Sequence, residues 1–287
     1  MLLTMKELLE KSKDADFAIG AFNATELALF RAVVEQAEES NSPAIIQAST
    51  GEFDFVTKDF YKYVIERCKD SKIPFALHLD HGHTVEECLK AIQAGFTSVM
   101  IDGSMLSYED NIALTKKVVD IAHSVGVTVE GEIGTIGAIG NSDEGGVSNI
   151  TYTRPEDVVD FVNKTGVDCL AIAIGTAHGI YPKGYTPKLQ LDLLKEIKAV
   201  APVPLVLHGG SNNPDDEIAM ACKIGIAKIN ISSDIKYAYF KKMDEVYQET
   251  GGFVPAKVMG PAIVETKAVV KQKMELFNSV NKASLYL

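Results

Sequence analysis

The run FALHLDHGHTVEECLKAIQAG, from Phe75 to Gly95, crowds three of the chain's six histidines and an aspartate between His78 and His83. Imidazole and carboxylate groups at that density suit proton transfer or metal ligation better than packing. Two more histidines stand beside glycine at the ends of apolar runs, His178 in AIGTAHGIY and His208 in LVLHGGS. Neutral imidazoles suit zinc, and a catalytic zinc site takes three protein ligands and keeps one position open. Singly, His81, His178 and His208 each read as a loop histidine satisfied by hydrogen bonds. As a set of three they read as ligands of Zn2+. Asp80, next to His81, is placed either to move a proton on a substrate hydroxyl or to orient a neighbouring histidine. The other histidines have plainer readings: His78 as a strand side chain, His83 as the residue before a helix capped by Thr84, His123 on a helix face.

Such a set works only if the fold brings it together. Eight short apolar segments recur, each ending in polar or glycine residues: DFAIGAFN, PAIIQAS, PFALHLD, SVMIDG, TVEGEIG, CLAIAIG, PLVLHGG and KINISSD. Amphipathic stretches such as TELALFRAVVEQAEE lie between them. Apolar strands alternating with helices imply a parallel sheet covered on both faces. Eight such units imply an α/β fold, a (β/α)8 TIM barrel with extra N- and C-terminal helices, as a single domain over residues 1–287. The runner-up, a doubly wound sheet, wants a GxGxxG turn after an early strand, and none is present. Near the start, Thr4 and Glu7 read as a capping box. Near the end, GGFVPAKVMGP interrupts the helical pattern.

A barrel of this kind keeps its active site at the C-terminal ends of the strands. Those ends supply, in order, Asn23, Ser49, Asp80 with His81, Asp102, Glu132, His178, His208, and then Asn230, Ile231, Ser232 and Ser233. The segments HGGSN and NISSD add small residues, hydroxyls and amides where barrels frequently hold phosphate. Each alone reads as a turn with a polar cap; together they favour phosphate. A metal beside a phosphate site suggests a phosphorylated carbonyl compound as substrate. No lysine closes a strand, so a Schiff-base mechanism lacks its nucleophile. The glycine-rich GTIGAIGNSDEGGVSN, from Gly134 to Asn149, reads as a mobile active-site loop.

A net charge of −11 disfavours nucleic acid or an anionic membrane as partner. An anionic ligand must then be held by backbone amides or a metal. No apolar run approaches the ~18 residues of a membrane span, and MLLTMKELLEKSKD mixes charges as a cleavable signal does not. Cys68, Cys88, Cys169 and Cys222 form no CxxC pair, which points away from a thiolate site or disulfide framework and toward the cytoplasm. The residues alone leave three functions open: an aldolase, a metal-dependent phosphosugar epimerase, and a non-catalytic sugar-phosphate-binding barrel. A metal-dependent hydrolase would want HxH after the first strand, where FN stands.

The series GAFNA, QAS, HLDHG, SVMIDGS, VEGEIG, AIGTAHGIY, LVLHGGS and KINISSD runs over nearly the whole chain. In that order it resembles the class II, zinc-dependent ketose-bisphosphate aldolases, the family of fructose- and tagatose-bisphosphate aldolases. The resemblance implies a lyase of carbohydrate metabolism that reversibly cleaves a ketose 1-phosphate or 1,6-bisphosphate to dihydroxyacetone phosphate and an aldehyde. It implies Zn2+ on His81, His178 and His208, with Asp102 and Glu132 as an alternate metal position or as supports to the ligands. Asp80 would be the acid/base at the C4 hydroxyl. Gly179, Gly209, Gly210 and Ser211, with Asn230, Ile231, Ser232 and Ser233, would hold dihydroxyacetone phosphate, and Asn23 and Ser49 would touch the substrate. A monovalent cation (Na+ or K+) near the phosphate, and a homodimer or homotetramer, are also implied.

Two departures stand out. Many relatives carry roughly ELGxxGGxED in the mobile loop, and its glutamate deprotonates dihydroxyacetone phosphate. The matching position here is Gly140, with Asp143 and Glu144 close behind, and Glu144 is taken as the base. Relatives also carry a DPR segment whose arginine grips the distal phosphate; VPAKVM puts Ala256 there, followed by Lys257. Alanine cannot supply that bidentate grip. The second phosphate is therefore expected to be weakly recognised, unless Lys257 or Lys183 has rebuilt its site.

Overall fold

Each barrel strand is apolar on both faces because one face meets the barrel interior and the other meets helices. The computed structural model describes residues 1–138, 150–182 and 187–287. Its strands are β1 (Ile19–Asn23), β2 (Ala44–Ser49), β3 (Phe75–Gly82), β4 (Ser98–Ile101), β5 (Thr128–Ile133), β6 (Gly137–Ala138), β7 (Cys169–Ile172), β8 (Ala177–His178), β9 (Leu205–Leu207) and β10 (Ile226–Ile231). Eight of them close a parallel barrel in the order β1-β10-β9-β7-β5-β4-β3-β2, and each falls within one of the eight apolar segments or overlaps it. The expected (β/α)8 barrel is what forms.

Two apolar layers hold it. Ile19, Ala21, Ile45, Ala76, Ala171, Val206 and Ala227 fill the barrel interior, and Met5, Leu8 and Leu9 of α1 (Met5–Leu9) close its lower end. The Thr4–Glu7 capping box starts that helix as expected, with Glu7 N donating to Thr4 Oγ1 and Thr4 N to Glu7 Oε2. The larger layer lies between the strands and the surrounding helices. Among these are α2 (Leu27–Glu39), α3 (Thr50–Phe55), α4 (Lys58–Asp70), α5 (Val85–Gln93), α6 (Tyr108–His123), α7 (Pro155–Thr165), α8 (Leu191–Val200) and α9 (Asp215–Ile224). Register carries the polar strand ends to a common rim: Asn23 pairs with Gln47 and Ser49 with Asp80.

Two sequence readings need correction. Gly137 and Ala138, read as part of a loop, form β6, which pairs with β8 as a separate two-stranded sheet. A two-residue strand carries no readable periodicity. The C-terminal interruption is also shorter than GGFVPAKVMGP. It runs from Gly251, in the left-handed region at φ 58°, to Val254, between α10 (Ser233–Thr250) and α11 (Pro255–Leu276). Pro255 fits the first helical position, where its missing N–H is no loss, and the helix then continues through Pro261. Gly140, Asp143, Glu144 and Lys183 lie outside the described residues. No helix among the described residues is long and apolar enough to cross a membrane.

Candidate active site

Neighbours along a regular strand point to opposite faces, so Asp80 and His81 should not share a site. They do because β3 is irregular at its end. Its pairing with β4 shifts register between Leu79 and Gly82, and His81 takes φ 51°. A bulge of this kind re-aims side chains, at a backbone cost on the order of 1 kcal/mol for a non-glycine residue. Gly82 makes it possible, since a Cβ there would lie 2.7 Å from the Met100 carbonyl oxygen. Three strands then converge on the buried Asp80 carboxylate. Asn230 Nδ2 donates to Oδ1 at 2.9 Å, while Gln47 Nε2 and Asn23 Nδ2 donate to Oδ2 at 3.0 and 3.2 Å.

Beside Asp80 the three imidazoles meet. Ring centroids lie 4.9 Å apart for His81 and His178, 4.7 Å for His81 and His208, and 6.1 Å for His178 and His208. One ligand atom from each of these residues lies within 4.8 Å of the others, and the same holds for His81, Asp102 and Glu132. His178 reaches the site from β8, beyond the end of its barrel strand. His81 Nδ1 is 2.9 Å from Asp102 Oδ2, which leaves Nε2 turned toward the cluster. Nε2 of His81, Nδ1 of His208 and Oε2 of Glu132 are buried without a hydrogen-bond partner. Glu132 Oε2 does approach His208 Nδ1 to 3.0 Å, but without hydrogen-bond alignment. A buried, unsatisfied polar atom costs about 1–3 kcal/mol. Three of them at one point, drawn from imidazoles and a carboxylate, fit a divalent cation.

Electrostatics inside the cluster are divided. Burial alone would lower His81, but Asp80 and Asp102 outweigh it and hold the ring up to about 10. Burial would raise Asp80, but His81 and Lys228 hold its carboxyl down at about 2. Glu132 is raised, by burial and by Asp102 beside it.

One layer deeper lies a charged chain that the sequence reading missed. Glu130 and Lys228 are fully buried, with Lys228 Nζ 2.8 Å from Glu130 Oε2. Glu130 Oε1 accepts from His208 Nε2 at 2.8 Å. Burial would raise Glu130, but Lys228 and His208 hold it well below the usual carboxylate range. His78, whose Nε2 lies 3.6 Å from Glu130 Oε2, is pushed down to about 3 by burial and by Lys228. The available signal was a charge at a mid-strand position of each strand: Glu130 in TVEGEI, two places before Glu132, and Lys228 in IAKINI.

The expected phosphate segments also come together. Gly209, at φ 62°, packs so closely that a Cβ would lie 2.6 Å from the Ala177 carbonyl, next to His178 and Gly179. Gly210 N donates to Asn230 O at 3.1 Å, and Asp234 N donates to Ser211 Oγ at 3.3 Å. Ser232 and Ser233 open α10 just beyond Ile231. Asn23 and Ser49 reach the same rim, where both meet Glu52, a residue not anticipated. Ala256 and Lys257 are exposed on the first turn of α11. Ala256 lines a groove of about 450 Å³ with Leu27, Arg31 and Met259.

Known proteins resemble this chain in sequence and, where a structure is solved, in fold. The family model described as fructose-bisphosphate aldolase class-II matches residues 3–282. A fructose-bisphosphate aldolase of Thermus caldophilus is 37% identical, with 99% of this chain and 100% of that protein covered. One from Staphylococcus aureus is 40% identical over 98% of this chain and 99% of its own. The solved structure of the YdjI aldolase from Escherichia coli K12 superposes with a TM-score of 0.87 at 33% identity, covering 99% of this chain and 100% of that one. Matched from end to end in sequence and in fold, the chain belongs to the class-II fructose-bisphosphate aldolase family.

Proposed function

We propose that this class-II aldolase is zinc-dependent and reversibly cleaves a ketose 1-phosphate or 1,6-bisphosphate of the fructose or tagatose type. The products are dihydroxyacetone phosphate and an aldehyde. The supporting observation is the convergence of His81, His178 and His208, with buried nitrogens of His81 and His208 unsatisfied beside Asp102 and Glu132. Those three imidazoles hold Zn2+, and Asp102 and Glu132 form an alternate position. Bound there, zinc supplies Lewis-acid polarisation of the substrate's carbonyl oxygen.

The chain's own residues do the rest. Asp80 takes the C4 hydroxyl proton in cleavage and returns it in condensation. Asn23, Gln47 and Asn230 fix its carboxylate in place. Gly179, Gly209, Gly210 and Ser211, with Asn230, Ile231, Ser232 and Ser233, hold the C1 phosphate through amides and hydroxyls, which suits an acidic chain. The family reading would add a monovalent cation, Na+ or K+, near that phosphate. Glu144 moves the C–H proton of dihydroxyacetone phosphate. The family reading also carries a homodimer or homotetramer and a cytoplasmic setting, and light scattering on the purified protein tests the assembly.

The test is steady-state cleavage of fructose 1-phosphate, fructose 1,6-bisphosphate and tagatose 1,6-bisphosphate, before and after exhaustive chelation. Triose release that chelation abolishes and zinc restores is expected. Full activity in the chelated enzyme would remove the metal from the proposal.

A further inference from the structure

We infer that Glu52 makes the aldehyde end of this site selective against a second phosphate, so that the preferred substrate is a ketose 1-phosphate with an uncharged, hydroxylated aldehyde half. The inference rests on the aldolase assignment above and names the substrate class within it.

With the C1 phosphate at the ends of β9 and β10 and the C4 hydroxyl at Asp80 on β3, the carbons beyond C4 leave over the ends of β1 and β2. Asn23 and Ser49 stand there, and their donors are already engaged. Asn23 Nδ2, Ser49 Oγ and Ser49 N each lie 3.2 Å from one oxygen, Oε2 of Glu52. Oε1 of the same carboxylate is 2.5 Å from Lys236 Nζ, so the nearest cation is already engaged by Glu52. Asn23 Nδ2 is shared with a second carboxylate, Asp80.

A phosphate brings up to about two negative charges and only acceptor oxygens. At this rim it would meet two carboxylates and no unengaged donor among Asn23 and Ser49. Like charges placed together suppress the wrong partner. A sugar hydroxyl can instead donate to Glu52 while accepting from Asn23 or Ser49.

Glu52 is also the N3 residue of the capping box that starts α3. Glutamine serves that role equally, so Glu52→Gln removes the charge and keeps the cap. The measured quantity is the ratio of kcat/KM for fructose 1,6-bisphosphate to that for fructose 1-phosphate, in the zinc-loaded enzyme. The wild-type ratio is expected below one, and Glu52→Gln is expected to raise it about tenfold, the scale of one unit-charge contact at a largely hydrated rim. A parallel measurement needs no variant: wild-type condensation of dihydroxyacetone phosphate should favour glyceraldehyde over glyceraldehyde 3-phosphate. A wild-type preference for the phosphorylated partner in either assay overturns the inference. So does a ratio that Glu52→Gln leaves unchanged or lowers. No turnover of either ketose would overturn the proposed function and the inference together, whereas turnover with an unmoved ratio overturns the inference alone.

Discussion

Glu130 lies one layer below His208 in the barrel interior and accepts its Nε2 proton at 2.8 Å. That bond fixes the tautomer and leaves Nδ1 facing Glu132 and the other imidazoles. Carboxylates that hold the far nitrogen of a ligating histidine are worth about 10–100-fold in metal affinity. Glu130, on β5, is itself held by Lys228 on β10, three places round the barrel.

Lys228→Met should therefore cost about 3–5 kcal/mol in stability, because it leaves a buried charge unpaired. Urea unfolding measures this. The pair Lys228→Met with Glu130→Gln should regain much of the loss, since neither group is then charged. A single Lys228→Met variant as stable as wild type would show that the buried pair contributes nothing.

Zinc binding should strengthen with pH. In the metal-free protein His81 is held up to about 10 by the acids around it, against burial. A histidine raised in the folded state adds stability that is full below its unfolded value of about 6.5 and is lost as pH rises through the folded value. Zinc requires the neutral ring, so its binding releases that proton. Thermal melts at about pH 6.5, 8 and 9.5 should show the metal-free Tm falling. Over the same range the increment given by zinc should grow. A zinc increment that is flat with pH would mean that no proton is displaced from the site.

Asp80→Ala should keep zinc and still bind dihydroxyacetone phosphate. Carbon–carbon cleavage should slow by about 10²–10⁴-fold, the usual contribution of a general acid–base group. Proton exchange on dihydroxyacetone phosphate should suffer less, because Asp80 is assigned to a hydroxyl and not to that carbon. Metal analysis and exchange of the labelled triose separate the two effects, and unchanged cleavage would take Asp80 out of the reaction.

Glu144→Gln makes the complementary test. Exchange of the dihydroxyacetone phosphate proton should fall by at least about 10²-fold, with binding of the triose retained. Exchange at the wild-type rate would assign the base to another residue.

The barrel was legible because strands covered on both faces leave a strong mark: eight apolar runs, each closed by a polar end. The meeting of three imidazoles was legible because histidines next to glycine or aspartate have little reason to sit on so many strand ends. Other features left weaker marks. Strict alternation would have put Asp80 and His81 on opposite faces, and only the bulge overrides it. Glu130 and Lys228 compensate each other across a separation of 98 positions, so neither advertises the other. Glu52 was hidden for a different reason. Its spacing from Ser49 satisfies a local capping rule so completely that nothing prompts a search for a second task.

The stagger at the end of β3 also sets what can be changed in this molecule. The acid and one imidazole are positioned by a single extra step in a strand, locked by the absence of a side chain at Gly82, and not by the crossover segments that follow. The turns at the opposite end of the barrel are thus open to grafting and to combinatorial diversification, with the reactive pair as a stationary anchor, whereas the segments after the strands carry Glu52, Asp102, Gly179 and Ser211. Gly82→Val would have the opposite effect. Its Cβ, 2.7 Å from the Met100 carbonyl oxygen, would push the bulge out of place and carry the pair with it, abolishing activity while leaving the barrel closed.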